Sequence, residues 1–231
     1  VGEERDLMRI GGFQPVDLVN FPSVVAATVF TMGCDCRCPY CHNPTLVRAE
    51  EPPLSEEDVV GWLRERKDLV DGVVVSGGEP CMQDDLPGFL RTIKEMGFRV
   101  KLDTNGSYPW MLSALFSDGL LDYVAMDIKA DREGYLRVAG IPASRVEASV
   151  SLLLGGSVPY EFRTTCVKEL LTTEDIRSIG TWIHGAKRYV LQRFNPKVTL
   201  DKKAGAWSSF SDEELEELAK ALSPDVSVVI R

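Results

Sequence analysis

The chain has 231 residues, of which 44% are apolar and 26% charged, and a net charge of −9. This is ordinary composition for a globular domain, long enough to bury one substantial core. The acidic balance argues against nucleic acid as a directly gripped partner, since phosphate binding rests on Lys and Arg; no apolar run approaches the roughly 18 residues a membrane helix needs.

The opening Val1-Gly2-Glu3-Glu4-Arg5-Asp6 is charged and lacks the apolar centre of a signal peptide, so the expected compartment is the cytoplasm, where thiols stay reduced. Residues 8–22 read as short extended pieces broken by Gly11-Gly12, Pro15 and Pro22, a lead-in rather than a core element. The β-prone apolar run 24–31 then predicts a buried strand. Ser55 with Asp58 resembles a capping box and starts a helix with Val59, Val60 and Leu63 on one face. Residues 73–76 predict the second strand. A helix over 85–96, with Leu86, Phe89, Leu90 and Ile93 inward, closes at Gly97. Residues 99–104 form the third expected strand, Pro109 opens a short helix, and 123–128 form the fourth strand.

A helix carrying Val146, Val150 and Leu153 stops near Gly155-Gly156 and leads to a fifth strand over 160–167. Thr172 with Asp175 caps the next helix, and 189–194 make the sixth strand. Ser211 with Glu214 caps the last helix, which ends before Pro224, and 226–230 form a small terminal strand. Strands alternating with helices predict an α/β fold with a parallel sheet and right-handed crossovers. Six such units are fewer than the eight of a closed barrel, and periodicity alone allows an open doubly wound sheet equally well.

Four of the six cysteines fall between positions 34 and 41, in Cys34-Asp35-Cys36-Arg37-Cys38-Pro39-Tyr40-Cys41-His42-Asn43. Soft thiolates at this density hold a soft metal or an iron–sulfur cluster. A structural zinc site closes four ligands, usually from two C-x-x-C knuckles. Cys38 and Cys41 make one knuckle but no second follows, and Cys81 and Cys166 stand alone, as small core residues do.

The remaining polar groups gather at the C-terminal ends of the predicted strands, where parallel α/β folds place their active sites. Gly77-Gly78-Glu79-Pro80 follows the second strand, Asp103-Thr104-Asn105-Gly106 ends the third, and Asp127-Ile128-Lys129 ends the fourth. Arg163 lies on the fifth, and Gln192 and Asn195 lie at the end of the sixth. Each is unremarkable alone: a glycine turn, an Asx turn, a solvated charge pair, an interstrand ion pair.

Taken together, the spacing Cys34-x3-Cys38-x2-Cys41 with Tyr40 before the last cysteine resembles the cluster loop of the radical S-adenosylmethionine superfamily. The resemblance implies a partial (βα)6 TIM-type barrel with parallel strands. A single domain over 1–231 is expected, with a lead-in (1–23), a barrel core (24–196) and a C-terminal extension (197–231). It implies a [4Fe–4S] cluster on Cys34, Cys38 and Cys41, with one iron left open to S-adenosylmethionine. Tyr40 and His42 of the loop are implied cofactor-binding residues, and Gly77-Gly78-Glu79 resembles the turn that receives the methionyl amino group. Asp103, Thr104, Asn105, Asp127 and Lys129 resemble the strand ends of pyruvate formate-lyase activating enzymes, which line the ribose and carboxylate side of the cofactor with a monovalent cation near the aspartates. Within that pocket Arg163 suits the methionyl carboxylate, a bidentate match, and Gln192 or Asn195 the adenine edge.

Cys-His-Asn over 41–43 narrows the resemblance to activators of glycyl-radical enzymes. With Gly12-Phe13-Gln14-Pro15-Val16-Asp17 it is most similar to the activating proteins of anaerobic ribonucleoside-triphosphate reductase. The implied activity is reductive cleavage of S-adenosylmethionine to a 5′-deoxyadenosyl radical that installs a glycyl radical on a partner enzyme. The electron comes from a flavodoxin- or ferredoxin-like donor. The alternatives are a 7-carboxy-7-deazaguanine synthase-like enzyme acting on a small pterin and a non-catalytic metal-binding module. Cys36, between two implied ligands, is expected to point away from them.

Overall fold

The computed structural model describes residues 8–50, 52–223 and 226–231. The expectations for residues 1–6 and for a helix stop at Pro224 lie outside the described residues. The chain divides into two compact units. One comprises residues up to Cys34, Thr45–Thr104 and Trp110–Val124; the other comprises Asp35–Pro44, Asn105–Pro109 and Ala125–Arg231.

In the first unit, strands β1 (Ile10–Asp17), β2 (Ala26–Thr31), β3 (Gly72–Gly77) and β4 (Arg99–Thr104) hydrogen-bond in chain order. The β2–β3 and β3–β4 pairs are parallel. Ala26, Ala27 and Val29 of β2 and Val73, Val74 and Val75 of β3 are wholly inaccessible, as expected of strands covered on both faces. Helix α1 (Pro44–Arg48) precedes α2 (Glu56–Glu65), whose N-cap Ser55 accepts from Asp58 N as its sequence predicts. In α3 (Leu86–Glu95), Leu86, Phe89, Leu90 and Ile93 are fully buried at helical spacing. Burial of such side chains stabilises by about 1.5–3 kcal/mol each, so Leu90→Ala is the economical way to weaken this layer. Helix α4 (Pro109–Ser117) follows β4.

One expectation is corrected. Residues 8–22 were to be a lead-in, yet 10–17 form β1, an edge strand antiparallel to β2. Its register slips between Ile10 and Gly12 and between Gln14 and Asp17, which accommodates the glycines and places Pro15 where the ladder is irregular. The buried Asp17 fastens the strand by accepting from Thr28 Oγ1 at 2.7 Å and from Val19 N and Asn20 N at 2.9 Å.

Strand β5 (Tyr123–Asp127) carries the chain into the second unit. There follow α5 (Tyr135–Ala139), α6 (Glu147–Gly155), β6 (Tyr160–Cys166), α7 (Thr173–Trp182), β7 (Tyr189–Arg193), α8 (Asp212–Leu222) and β8 (Val228–Ile230). Strands β6, β7 and β8 are parallel neighbours. Both expected capping boxes are present, Thr172 with Asp175 and Ser211 with Glu214. The two five-residue helices α1 and α5 carry no such signal and were not anticipated. Among the described residues, no helix is long and apolar enough to cross a membrane.

Candidate active site

In the first unit the ends of β2 and β3 are brought flush by glycine. Gly77 has φ +117, and a Cβ on it would sit 2.4 Å from Thr31 N; one on Gly78 would sit 1.8 Å from Gly33 O. The bare backbone closes the gap: Gly78 N donates to Thr31 O at 2.9 Å and Glu79 N to Gly33 O at 2.8 Å. Glu79 is fully buried, and its Oε1 accepts from Thr104 Oγ1 at 2.7 Å and from Cys81 N at 3.0 Å. Glu79 therefore braces the turn through β4. Asp103 of β4 is also buried; its Oδ1 accepts from Lys101 Nζ and its Oδ2 from Ser76 Oγ at 3.1 Å.

The second unit holds the cysteine loop from Asp35 onward. Asn105 Nδ2 donates to Asp35 Oδ1 at 2.9 Å and lies 3.1 Å from Cys36 Sγ, while Asn105 Oδ1 closes an Asx turn on Ser107 N at 2.8 Å. Cys36 is buried, and its thiol hydrogen-bonds to Cys38. Its expected orientation is thus corrected: the thiol faces Cys38, with the Asn105 amide against it.

That hydrogen bond is the largest influence on Cys38; with Lys129 it overcomes burial and brings the thiol down to about 7. Tyr40 is buried with its ring edge-on to Phe194 at 6.4 Å, and burial followed by the neighbouring Cys38 raises its phenol. His42 stacks on Phe194 at 5.9 Å, and its Nδ1 lies 3.0 Å from Val198 O. Because a carbonyl only accepts, Nδ1 carries the proton in the neutral ring.

Asp127, the last residue of β5, accepts from Arg163 Nε and from Lys129 Nζ, both at 2.8 Å. Burial would raise the carboxyl, but Arg163 and then Lys129 outweigh it and hold Asp127 well below the usual carboxylate range. Burial opposes the Lys129 charge in turn, and Asp127 restores it, leaving the ammonium pKa well above its usual value.

Gln192 lies half-buried on β7 opposite Thr165. Asn195 is exposed, with its side-chain oxygen turned back to Lys197 N at 3.1 Å. Cys81 and Cys166 are buried as expected of core thiols; burial pushes Cys166 up to about 12. The sequence reading missed three neighbours of the candidate residues: Lys101 and Ser76 on Asp103, and Phe194 beneath Tyr40 and His42. Lys101 leaves a sequence signal, being a charge inside an otherwise buried strand two residues before Asp103.

The donor chemistry fits a thiolate-held iron–sulfur cluster, with soft ligands in one loop and one thiol already near neutrality. Parallel α/β architecture with such a loop directly after β2 defines an enzyme class with its chemistry at the strand ends. The Radical SAM superfamily matches residues 28–154, and the chain belongs to it. A relative in Methanocaldococcus jannaschii, named as a glycyl-radical enzyme activating enzyme, is 30% identical over 233 residues, 96% of this chain and 95% of the relative. The pyruvate formate-lyase-activating enzyme of Clostridium pasteurianum is 34% identical over 143 residues, 57% of each chain. The crystal structure of Streptococcus suis SuiB bound to S-adenosylmethionine shares the fold at 16% identity, with a TM-score of 0.67 over 87% of this chain and 48% of SuiB. The fold is of the partial TIM-barrel α/β type, and the chain is an enzyme of the radical SAM class.

Proposed function

We propose that the protein activates a glycyl-radical enzyme, and that its partner is anaerobic ribonucleoside-triphosphate reductase. The observation that carries this reading is the match to the M. jannaschii relative, which runs nearly end to end in both chains. Cys-His-Asn after the cluster spacing and the Gly12-to-Asp17 segment favour the reductase as target.

Cys34, Cys38 and Cys41 would hold a [4Fe–4S] cluster, which when bound supplies the electron for cleaving S-adenosylmethionine, so that a hydrogen atom is taken from a backbone glycine of the partner. Cys38, near neutrality, offers a thiolate at little cost. Gly77 and Gly78 present backbone with no Cβ in the way, and Glu79, fixed by Thr104, keeps that turn in shape. Asp103, Thr104 and Asn105 offer fixed polar groups to the ribose side. Asp127, which takes Lys129 on its other oxygen, holds the Arg163 guanidinium in place to receive a carboxylate. Tyr40, His42 and Gln192 would supply further contacts to the cofactor. A flavodoxin- or ferredoxin-like donor in the cytoplasm suits the chemistry, since oxygen and oxidised thiols are both incompatible with it.

The experiment mixes the reduced, iron-reconstituted protein with the reductase and S-adenosylmethionine. A glycine-centred doublet in electron paramagnetic resonance, absent when the reductase's radical glycine is replaced by alanine, is the expected result. Turnover of 6-carboxytetrahydropterin without any partner would overturn it.

A further inference from the structure

Lys101 has no solvent-accessible surface, yet it is the kind of residue least often buried. It and Asp103 are two apart on β4, so both side chains leave the strand on one face. Lys101 Nζ donates to Asp103 Oδ1, and Ser76 Oγ covers Oδ2 at 3.1 Å. The ring of Tyr123 lies 6.0 Å from the ammonium, a cation–π distance. Asp127 in the second unit is likewise served by chain cations, Lys129 and Arg163. Both strand-end aspartates thus carry covalently tethered positive charge.

We propose that Lys101 is a built-in monovalent cation: its ammonium supplies at Asp103 the charge that a bound sodium or potassium ion would supply, and makes the pocket independent of alkali-metal ions. An alkali ion is drawn to uncompensated carboxylate charge, and here the Lys101 ammonium already sits on one Asp103 oxygen while Ser76 bonds the other. A free ion at millimolar concentration competes poorly with an ammonium tethered two residues away. The ammonium is a compact point charge, so it fills an ion's place without a guanidinium's planar demands. This departs from the monovalent cation that the family resemblance implies. It rests on the reading that Asp103 lines the S-adenosylmethionine pocket.

The test uses the iron-reconstituted protein and two readouts. Equilibrium dialysis measures S-adenosylmethionine affinity in tetramethylammonium chloride and in potassium chloride at equal ionic strength. Sodium NMR linewidths report a bound alkali ion directly. The wild type is expected to bind the cofactor equally in both salts and to cause no saturable, potassium-displaceable broadening. Lys101→Met is expected to bind about tenfold or more weakly in tetramethylammonium, the scale of removing one partner of a buried pair, to recover in potassium, and to broaden the sodium line saturably. A wild type that requires potassium, a sodium site in the wild type, or a Lys101→Met protein unchanged in tetramethylammonium overturns the proposal. The wild-type arms need no variant, so a misfolded variant leaves them decisive. Absence of S-adenosylmethionine binding in every salt would sink the pocket assignment instead, while the sodium linewidth still decides on Lys101.

Discussion

Thr104, the last residue of β4, donates its hydroxyl to Glu79 Oε1 at 2.7 Å, tying the turn after β3 to the neighbouring strand. A buried carboxylate is costly unless its lone pairs are satisfied, and Thr104 shares that task with Cys81 N. Thr104→Val keeps the shape and removes the donor, leaving a buried acceptor short of a partner, so it is expected to cost about 1–3 kcal/mol in urea denaturation. Thr104→Ser keeps the donor and is expected to lose less. Equal stability of Thr104→Val and wild type would mean that Glu79 is braced elsewhere.

The two-glycine turn makes a sharper steric prediction. Gly78→Ala would place a carbon 1.8 Å from the Gly33 carbonyl oxygen, a backbone atom that cannot swing aside. A loss of about 3 kcal/mol or more, or no folded protein, is expected. Gly61 in α2 is the internal control: nothing lies within 4 Å of an added Cβ there. Gly61→Ala is expected to stabilise by about 0.5–1 kcal/mol through helix propensity. Thermal melts of the two variants side by side decide it.

Asp127 sets a pH dependence. Its folded carboxyl lies below its unfolded value because Arg163 and Lys129 outweigh burial. The stability it contributes is therefore complete above the unfolded carboxylate pKa of about 4 and is lost as pH falls through the folded value. Asp127→Asn leaves two cations without their shared anion and is expected to cost about 3 kcal/mol at neutral pH, and less at pH 2, in urea midpoints. A constant difference between the two proteins from pH 7 to pH 2 would rule out this linkage.

The parallel strands were legible because β2, β3 and β7 are continuous β-prone runs, and α7 and α8 because their capping boxes are written in four residues. β1 was not, because glycines and a proline signal a break when read locally, while an edge strand with slipped register tolerates them. The same division holds at the candidate site. Motif residues announce themselves by spacing, as do local partners such as Lys101 and Lys129, but other partners come from distant elements. Phe194 reaches Tyr40 and His42, and Arg163 reaches Asp127, across long sequence separations that no periodicity encodes. The facing of Cys36 toward Cys38 is not legible locally, since the amide against its thiol belongs to Asn105, nearly seventy residues further along.

Cys36 also supplies the most discriminating titration. Its hydrogen bond is the foremost reason that the Cys38 thiol falls to about 7, with Lys129 adding to it against burial. In the iron-free protein the Cys38 thiolate contributes stability that is complete above the unfolded cysteine pKa of about 8.5 and is lost as pH falls through about 7. Cys36→Ala removes the donor and is expected to move the Cys38 titration upward toward its ordinary value, read as the carbon NMR shift of its labelled Cβ. The gain in stability between pH 7 and pH 8.5 should shrink with it. Lys129→Met is expected to shift the same titration upward, by less, since its influence ranks behind the hydrogen bond. After anaerobic reconstitution Cys36→Ala is expected to retain iron and to form 5′-deoxyadenosine, whereas Cys34→Ala, Cys38→Ala and Cys41→Ala lose both. Loss of iron in Cys36→Ala with retention in Cys34→Ala would reassign the ligand set, and an unmoved Cys38 titration would remove Cys36 as the cause of its acidity.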